Sequence, residues 1–302
     1  MNDSRRAVLL MLTFVALWAL VEVLAAGVLL RYSPFQVVWT RYGIHLLLML
    51  AVWGWHRPDL LVRTSRPVFQ LARSLLMLGM PASWIFGMRT DMPMGMFMTV
   101  FWLSPLLIIA LARLVLGEHA PPSLWFPALV GFAGSLVLHD PARLENLRLL
   151  AYPIGMALSF SLYVVMTRTL RREDVRANLF YTALGVFIAL SPAVPTFWTW
   201  PGVTDFMAMA AVGVLGFFAL FALDRMASAD RVSVSAPFAY LQIAFLIALA
   251  TLAGMELDHT KARTFAGLAL ILLAAAFAWL RLPQGADETM AGAGAHRVSK
   301  ES

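Results

Sequence analysis

The stretch from residue 92 to residue 118, MPMGMFMTVFWLSPLLIIALARLVLGE, sets the terms on which this chain can fold. No charged side chain interrupts it between Asp91 and Arg113. At 1.5 Å per residue, a helix over 92–112 covers about 30 Å, the thickness of a bilayer's hydrocarbon core. Near its middle sit Trp102, Ser104 and Pro105. Proline has no amide hydrogen, so the carbonyl of Phe101 loses its helical partner. At that depth a freed carbonyl must face protein, water or a ligand, because lipid offers it no donor. The design returns 138 positions later. There, Tyr240-Leu241-Gln242 stands where the first stretch has Trp102-Leu103-Ser104, and Glu256 stands where it has Glu118. A segment and its echo imply a chain of two related halves.

Composition agrees with a membrane interior as solvent. Apolar residues make up 61% of the 302 positions and charged residues 13%, about half the charged share of a soluble domain. The net charge of +6 does not point to nucleic acid, because the basic residues are scattered among loops with no stripe or aromatic platform. With no cysteine, disulfides, thiolate metal sites and cysteine nucleophiles are excluded. Arg5-Arg6 precedes an apolar run over 7–30. That run is longer than a signal-peptide core and no A-x-A site follows it, so it is expected to stay as a first span.

Ten spans are expected: 7–30, 35–55, 68–88, 92–116, 124–138, 149–170, 177–194, 206–223, 232–252 and 264–280. The tail over 283–302 is polar and rich in small residues, and is expected to be disordered and cytoplasmic. Sixteen Lys and Arg fall on one side of this arrangement and six on the other, with Arg41 inside a span. The cluster Arg168, Arg171, Arg172 and Arg176 weighs most. The bias places both termini in the cytoplasm. Five spans per half is odd, so the second half enters the membrane upside down. The expected architecture is all-α and integral to the membrane, with two inverted-topology repeats over 1–140 and 141–282. Such repeats are a hallmark of secondary transporters, with substrate held near the midplane where the repeats meet.

The pattern resembles the drug/metabolite transporter superfamily in its ten-helix EamA-type branch. The residues carrying the resemblance are Trp18, Arg41, Leu103-Ser104-Pro105, Gly117-Glu118 and Gly131 to Gly134, echoed by Leu241, Glu256 and Gly267. It covers about residues 7 to 282 and is most similar to the YddG-type amino-acid exporters of the bacterial inner membrane. That implies an exporter of amino acids, aromatic and other neutral ones included, working by alternating access. No cofactor or metal is expected, and ten spans could suffice as a monomer. Two departures stand out: Glu22 in the first span, and Ile243 where the first half has Pro105. A single membrane glutamate also resembles small multidrug exporters, which leaves a proton-coupled exporter of cationic drugs or another metabolite as the alternative. No P-loop occurs. No H-E-x-x-H occurs and no serine or aspartate in a span has an evident base, so an enzyme is not expected.

The candidate site is read from ionisable, aromatic and kink-forming residues inside spans. Glu22 and Arg41 lie at similar depth on either side of the first turn and are expected to be able to pair. Arg41 would meet a substrate carboxylate and Glu22 an ammonium or a proton, or the two would simply neutralise each other. His45 lies one turn from Arg41 on the same face. It would relay protons or be held by a hydrogen bond. Trp18, Trp84, Trp102, Phe160, Tyr163 and Tyr240, with Ser159, Ser104 and Gln242 as polar tips, would form an apolar cavity suited to a small molecule. Pro81, Pro105 and Pro237 are places where helices would break or bend. Gly79 and Gly216 would allow close helix approach. Seven of the seventeen methionines fall between Met77 and Met98, and such flexible side chains would let a cavity re-pack around different ligands.

Overall fold

The structure is a computed structural model that describes residues 2–141, 146–255 and 261–282. Ten helices in it are long and apolar enough to cross a membrane. They are Asp3–Leu29, Pro34–Gly54, Pro67–Gly87, Met94–Leu116, Pro122–His139, Leu147–Thr169, Val175–Phe197, Val203–Ala229, Val232–Leu252 and Ala262–Leu280. Each coincides with an expected span. The largest difference is in the eighth, which runs six residues past the expected end to Ala229 and takes Asp224 inside. Glu256 and the tail 283–302 lie outside the described residues.

Local chemistry fixes the helix ends. Proline opens the second, third and fifth spans as Pro34, Pro67 and Pro122, where its missing donor costs nothing. The side chains of Asn2 and Asp174 accept the backbone N–H two residues on and cap the first and seventh spans. The fourth span stops at Gly117, whose φ of 66° is the left-handed stop a glycine supplies without strain.

The outer surface is apolar: Leu47, Leu114, Leu129, Ile188, Phe218 and Leu273 are all exposed. Polar side chains such as Gln36, Arg73, Asn178 and Asp224 are buried between helices. This reversal is what a lipid solvent requires.

With ten spans the first and last ends share one side, called here the terminal face; the opposite side is the far face. The fourth and ninth spans are each broken in mid-membrane. The fourth is two helices, Met94–Phe101 and Ser104–Leu116, with Trp102 and Leu103 between them. The ninth starts as Val232–Ser235, tightens into a 3-10 turn at Ala236–Tyr240, and resumes as Leu241–Leu252. Pro237 accounts for the second break, so Ile243 at the position matching Pro105 does not prevent one. Pro81, by contrast, sits inside a continuous third helix, so the break expected there is absent.

The two breaks meet. The Tyr240 hydroxyl donates to the Trp102 carbonyl at 3.1 Å, and the two rings lie 5.9 Å apart. The carbonyl that a straight helix would have spent on residue 106 is thus supplied by the other half of the chain. Gly131 makes the crossing possible, because a β-carbon there would overlap the Tyr240 ring. Ser161 likewise donates to the Ser104 carbonyl at 3.1 Å.

On the terminal-face side of the breaks, Ser104–Leu116 packs against the start of the ninth span and against the sixth. On the far side the partners part company. Met94–Phe101 packs on the fifth and sixth spans, and Leu241–Leu252 packs on the first. The fourth and ninth spans are therefore joined towards the terminal face and diverge towards the far face, where each packs on spans of the opposite half.

Removing the hydroxyl with Tyr240→Phe should leave the Trp102 carbonyl without its donor in a dry site. The expected loss is about 1–2 kcal/mol, read as a lower thermal unfolding midpoint in detergent. An unchanged midpoint would mean that the break is satisfied in another way.

Candidate functional site

The broken helices place their polar turn beside the first and second spans. Arg41, 8% exposed, lies with its guanidinium 5.2 Å from the Trp18 ring centre and 4.6 Å from that of Tyr42. Both are cation–π distances. Gly216 of the eighth span backs on to Arg41 and His45, close enough that a β-carbon would touch both side chains. Glu22 accepts a hydrogen bond from Gln242 Nε2 at 3.0 Å, and Trp18, one turn earlier, faces the same carboxylate.

The expected Glu22–Arg41 pair does not form: no ion pair among the described residues includes either. Their depths agree but their faces do not. Glu22 turns to the ninth span and Arg41 turns back over Trp18 and Tyr42. Trp18 thus stands between an acid and a base that do not neutralise each other.

Several buried polar atoms converge here without a hydrogen-bond partner among the described residues. They are Arg41 Nε, Tyr42 Oη, His45 Nε2, Trp102 Nε1 and Ser104 Oγ. Buried polar groups are otherwise almost always paired, and the arginine, tyrosine, tryptophan and serine atoms among these each carry a hydrogen to donate. His45 sits edge-on to Tyr42 and to Phe217, with the Gly213 carbonyl as a further partner. An aromatic wall completes the site. Phe160 stacks on Phe14 with centroids 6.2 Å apart and lies 6.3 Å from Phe101. Phe14 in turn lies 5.7 Å from Trp18.

Other expected members fall elsewhere. Trp84 meets Phe97 edge-on in the wall of the third and fourth spans. Ser159 faces Gly79 across a close helix contact, as the glycine's smallness suggested. Met98 and Pro81 are half-buried, and Pro105 is buried at the start of the second half of the fourth helix. Tyr163 belongs to a second cluster: its ring lies 5.0 Å from the Arg73 guanidinium. Sequence reasoning missed Phe14 and Tyr42, which carry no signal beyond being aromatic. It also missed Arg73, which falls inside the expected third span yet is counted with the basic residues of one side, and Asp224, one position beyond an expected span end.

The terminal face is closed by ionic and capping contacts. Glu118 Oε2 accepts from the Ser233 hydroxyl at 2.7 Å and from its backbone N–H at 3.2 Å, holding the N-terminus of the ninth span. Arg168 Nε lies 3.5 Å from Glu118, and its Nη1 donates to the Ala227 carbonyl at the end of the eighth span. Ser4 donates to Asp230 at 2.5 Å. In the loops, the Ser65 hydroxyl and backbone N–H donate to Glu173 and hold its carboxyl below the usual range. Arg176 does the same for Asp174. Both groups add stability above the ordinary carboxylate pKa and lose it as pH falls through their lowered values.

Ten membrane-length helices, two of them broken at one depth beside buried unpartnered donors, have the architecture of a multi-pass membrane protein. The chain matches the EamA-like transporter family over residues 5–139. That match spans the first five of the ten membrane-length helices. The S-adenosylmethionine uptake transporter of Rickettsia prowazekii is 26% identical over 214 residues, covering 70% of this chain and 72% of that one. The riboflavin transporter of Vibrio cholerae is 24% identical over 282 residues, covering 87% and 91%. A solved crystal structure superposes with a TM-score of 0.80 at 20% identity, over 93% of this chain and 98% of its own. At that identity the likeness concerns the fold alone.

Glu118→Ala should strand Arg168 and release the ninth helix end, costing about 3 kcal/mol. The double variant Glu118→Ala/Arg168→Ala should recover part of that loss. Thermal midpoints that add without recovery would show that the pair is not coupled.

Proposed function

We propose that the protein is a secondary transporter of small zwitterions carrying an α-amino-acid group, working by alternating access in a bacterial plasma membrane with both termini in the cytoplasm. The observation that carries this reading is the unneutralised Arg41, stacked between Trp18 and Tyr42, with Glu22 across the Trp18 ring. A buried cation with an unpartnered donor suits a carboxylate. The acid, beside aromatic faces, suits an ammonium or another onium centre. The Phe14, Phe101 and Phe160 rings offer apolar faces suited to an apolar or aromatic remainder. Free amino acids fit this chemistry, and so do larger conjugates. S-adenosylmethionine, the substrate named for the Rickettsia relatives, carries the same amino-acid group plus a sulfonium and a base. The pseudo-symmetric halves, 1–140 and 141–282, would rock about the Trp102–Tyr240 crossing.

Proteoliposomes preloaded with unlabelled substrate should take up labelled neutral and aromatic amino acids or S-adenosylmethionine by counterflow. Arg41→Ala should raise KM at least tenfold with normal protein level, since a charge-assisted bond is worth about 1.5–3 kcal/mol. Uptake of a quaternary ammonium dye in exchange for protons, with Arg41→Ala harmless and Glu22→Gln inactive, would replace the zwitterion reading with that of a cation exporter.

A further inference from the structure

The transport site does not use the second buried cluster, yet that cluster contains two opposite charges deep inside the helix bundle. Arg73, fully buried in the third span, donates through Nη1 to Thr167 Oγ1 of the sixth at 2.8 Å. Around its Nη2 lie Gln70 Oε1, the Asn178 carbonyl and Thr182 Oγ1 at 2.7–2.9 Å. Gln70 Nε2 donates to Asn178 Oδ1 at 2.5 Å. Asn178 Nδ2 then donates to Asp224 Oδ2 at 3.0 Å. Arg73 and Asp224 are thus linked through two amides and not by direct contact. The chain of bonds stitches the third, sixth, seventh and eighth spans together. Arg73 is six residues inside the third helix, about 9 Å from its terminal-face end.

Asp224 is buried behind residues that line a surface crevice. Phe221, one turn before it, and Arg225, next to it, line a crevice of about 390 Å³ with Trp53, Asp174, Val175 and Arg176. Those residues bring the crevice to the terminal-face ends of the second, seventh and eighth spans. The charged groups around Asp224 can be named element by element. Arg73 approaches from the third span, Asp174 from the seventh and Arg225 from its own helix. Arg168 of the sixth bonds the Ala227 carbonyl one turn on, and Ser4 of the first bonds Asp230. Arg41 and His45 of the second sit at Gly216, two turns towards the far face. In the hydrogen-bonded chain itself Asp224 is the one carboxylate.

We propose that Asp224 is a proton-binding site that couples transport to pH: a proton entering from the terminal face converts its carboxylate to the acid and releases the closure of that face. The carboxylate is the counter-charge that lets Arg73 remain dry. With Asp224 neutral, Arg73 is a buried cation supported by dipoles alone, which is costly. The cheapest relief is to hydrate it by parting the third, seventh and eighth helices along the crevice. Loss of the proton re-forms the chain of bonds and closes the face. This coupling role rests on the transporter reading, but its test needs no substrate.

The chain has no cysteine, so one introduced thiol reports on opening without background. Ala183→Cys places it at a fully buried position of the seventh span, two turns inward from Arg176 of the crevice, and Val62→Cys provides an exposed control between the second and third spans. A membrane-impermeant maleimide would be applied to the terminal face of vesicles across pH 5–8. Relative to the control, labelling of the thiol introduced in the seventh span should rise at least tenfold as pH falls. With Asp224→Asn it should be high and independent of pH. Asn178→Ser, which keeps the acid but cuts its link to Gln70 and Arg73, should also flatten the profile. Both variants are checked for a monodisperse peak and a cooperative melt, and Asn178→Ser decides if Asp224→Asn does not fold. A pH response in either folded variant equal to that of the parent would overturn the proposal, as would a parent without any response. A profile governed by sodium at constant pH would also overturn it, in favour of a metal cation.

Discussion

A carbonyl group in the middle of a membrane needs a donor, and the architecture follows from how this chain supplies one. Pro105 interrupts the fourth helix, and the Trp102 carbonyl is satisfied by Tyr240 from the ninth. That contact requires the ninth helix to be broken at the same depth, the Tyr240 ring to lie over Gly131, and the two halves to cross there. In water the same break would be hydrated at little cost. In lipid an unsatisfied group is far more costly, so the crossing stabilises the break and ties the two halves together at that depth.

Around this crossing, polar groups are divided by depth. Towards the far face, acid and base are kept apart by an aromatic ring and several donors are left over. Towards the terminal face, the buried charges have been given partners: Glu118 with Arg168, Asp230 with Ser4, and Arg73 with three amide or hydroxyl side chains. Arg73 and Arg168 each keep an Nε without a hydrogen-bond partner, but their other donors are spent on neighbours and resist separation, whereas the unpaired groups beside Trp18 are available to a guest. The contrast gives the two ends of the bundle different work to do, although both are built from the same kind of apolar helix.

The ten spans and the broken fourth helix were legible in the sequence because length and hydropathy suffice to place a helix in lipid. The ninth helix's break was legible through Pro237, and the Trp102–Tyr240 relation through their spacing. What could not be read was which way a side chain faces. Glu22 and Arg41 agree in depth, but a rotation about the helix axis separates them, and a turn of one residue's worth, about 100°, is invisible to spacing arguments. Arg73 and Asp224 were hidden for a different reason. Each lies within two turns of a helix end, where a charge is usually solvated. Only the packing of four helices shows that these two are not. Trp84 and Ser159 were assigned to the cavity on chemistry alone, and close packing at Gly79 and Phe97 claims them for helix contacts.

The far-face piece of the fourth span has only eight residues, Met94–Phe101, and is about 12 Å long. It is joined to the rest of its span through two non-helical residues and rests on the fifth and sixth spans. Such a piece behaves as a short stiff lever on a hinge. A tilt of about 15° at Trp102 would move its tip by about 3 Å, roughly the diameter of a water molecule. A tilt of that kind would shift the far-face end of the fourth span while the rest of both halves stayed in place.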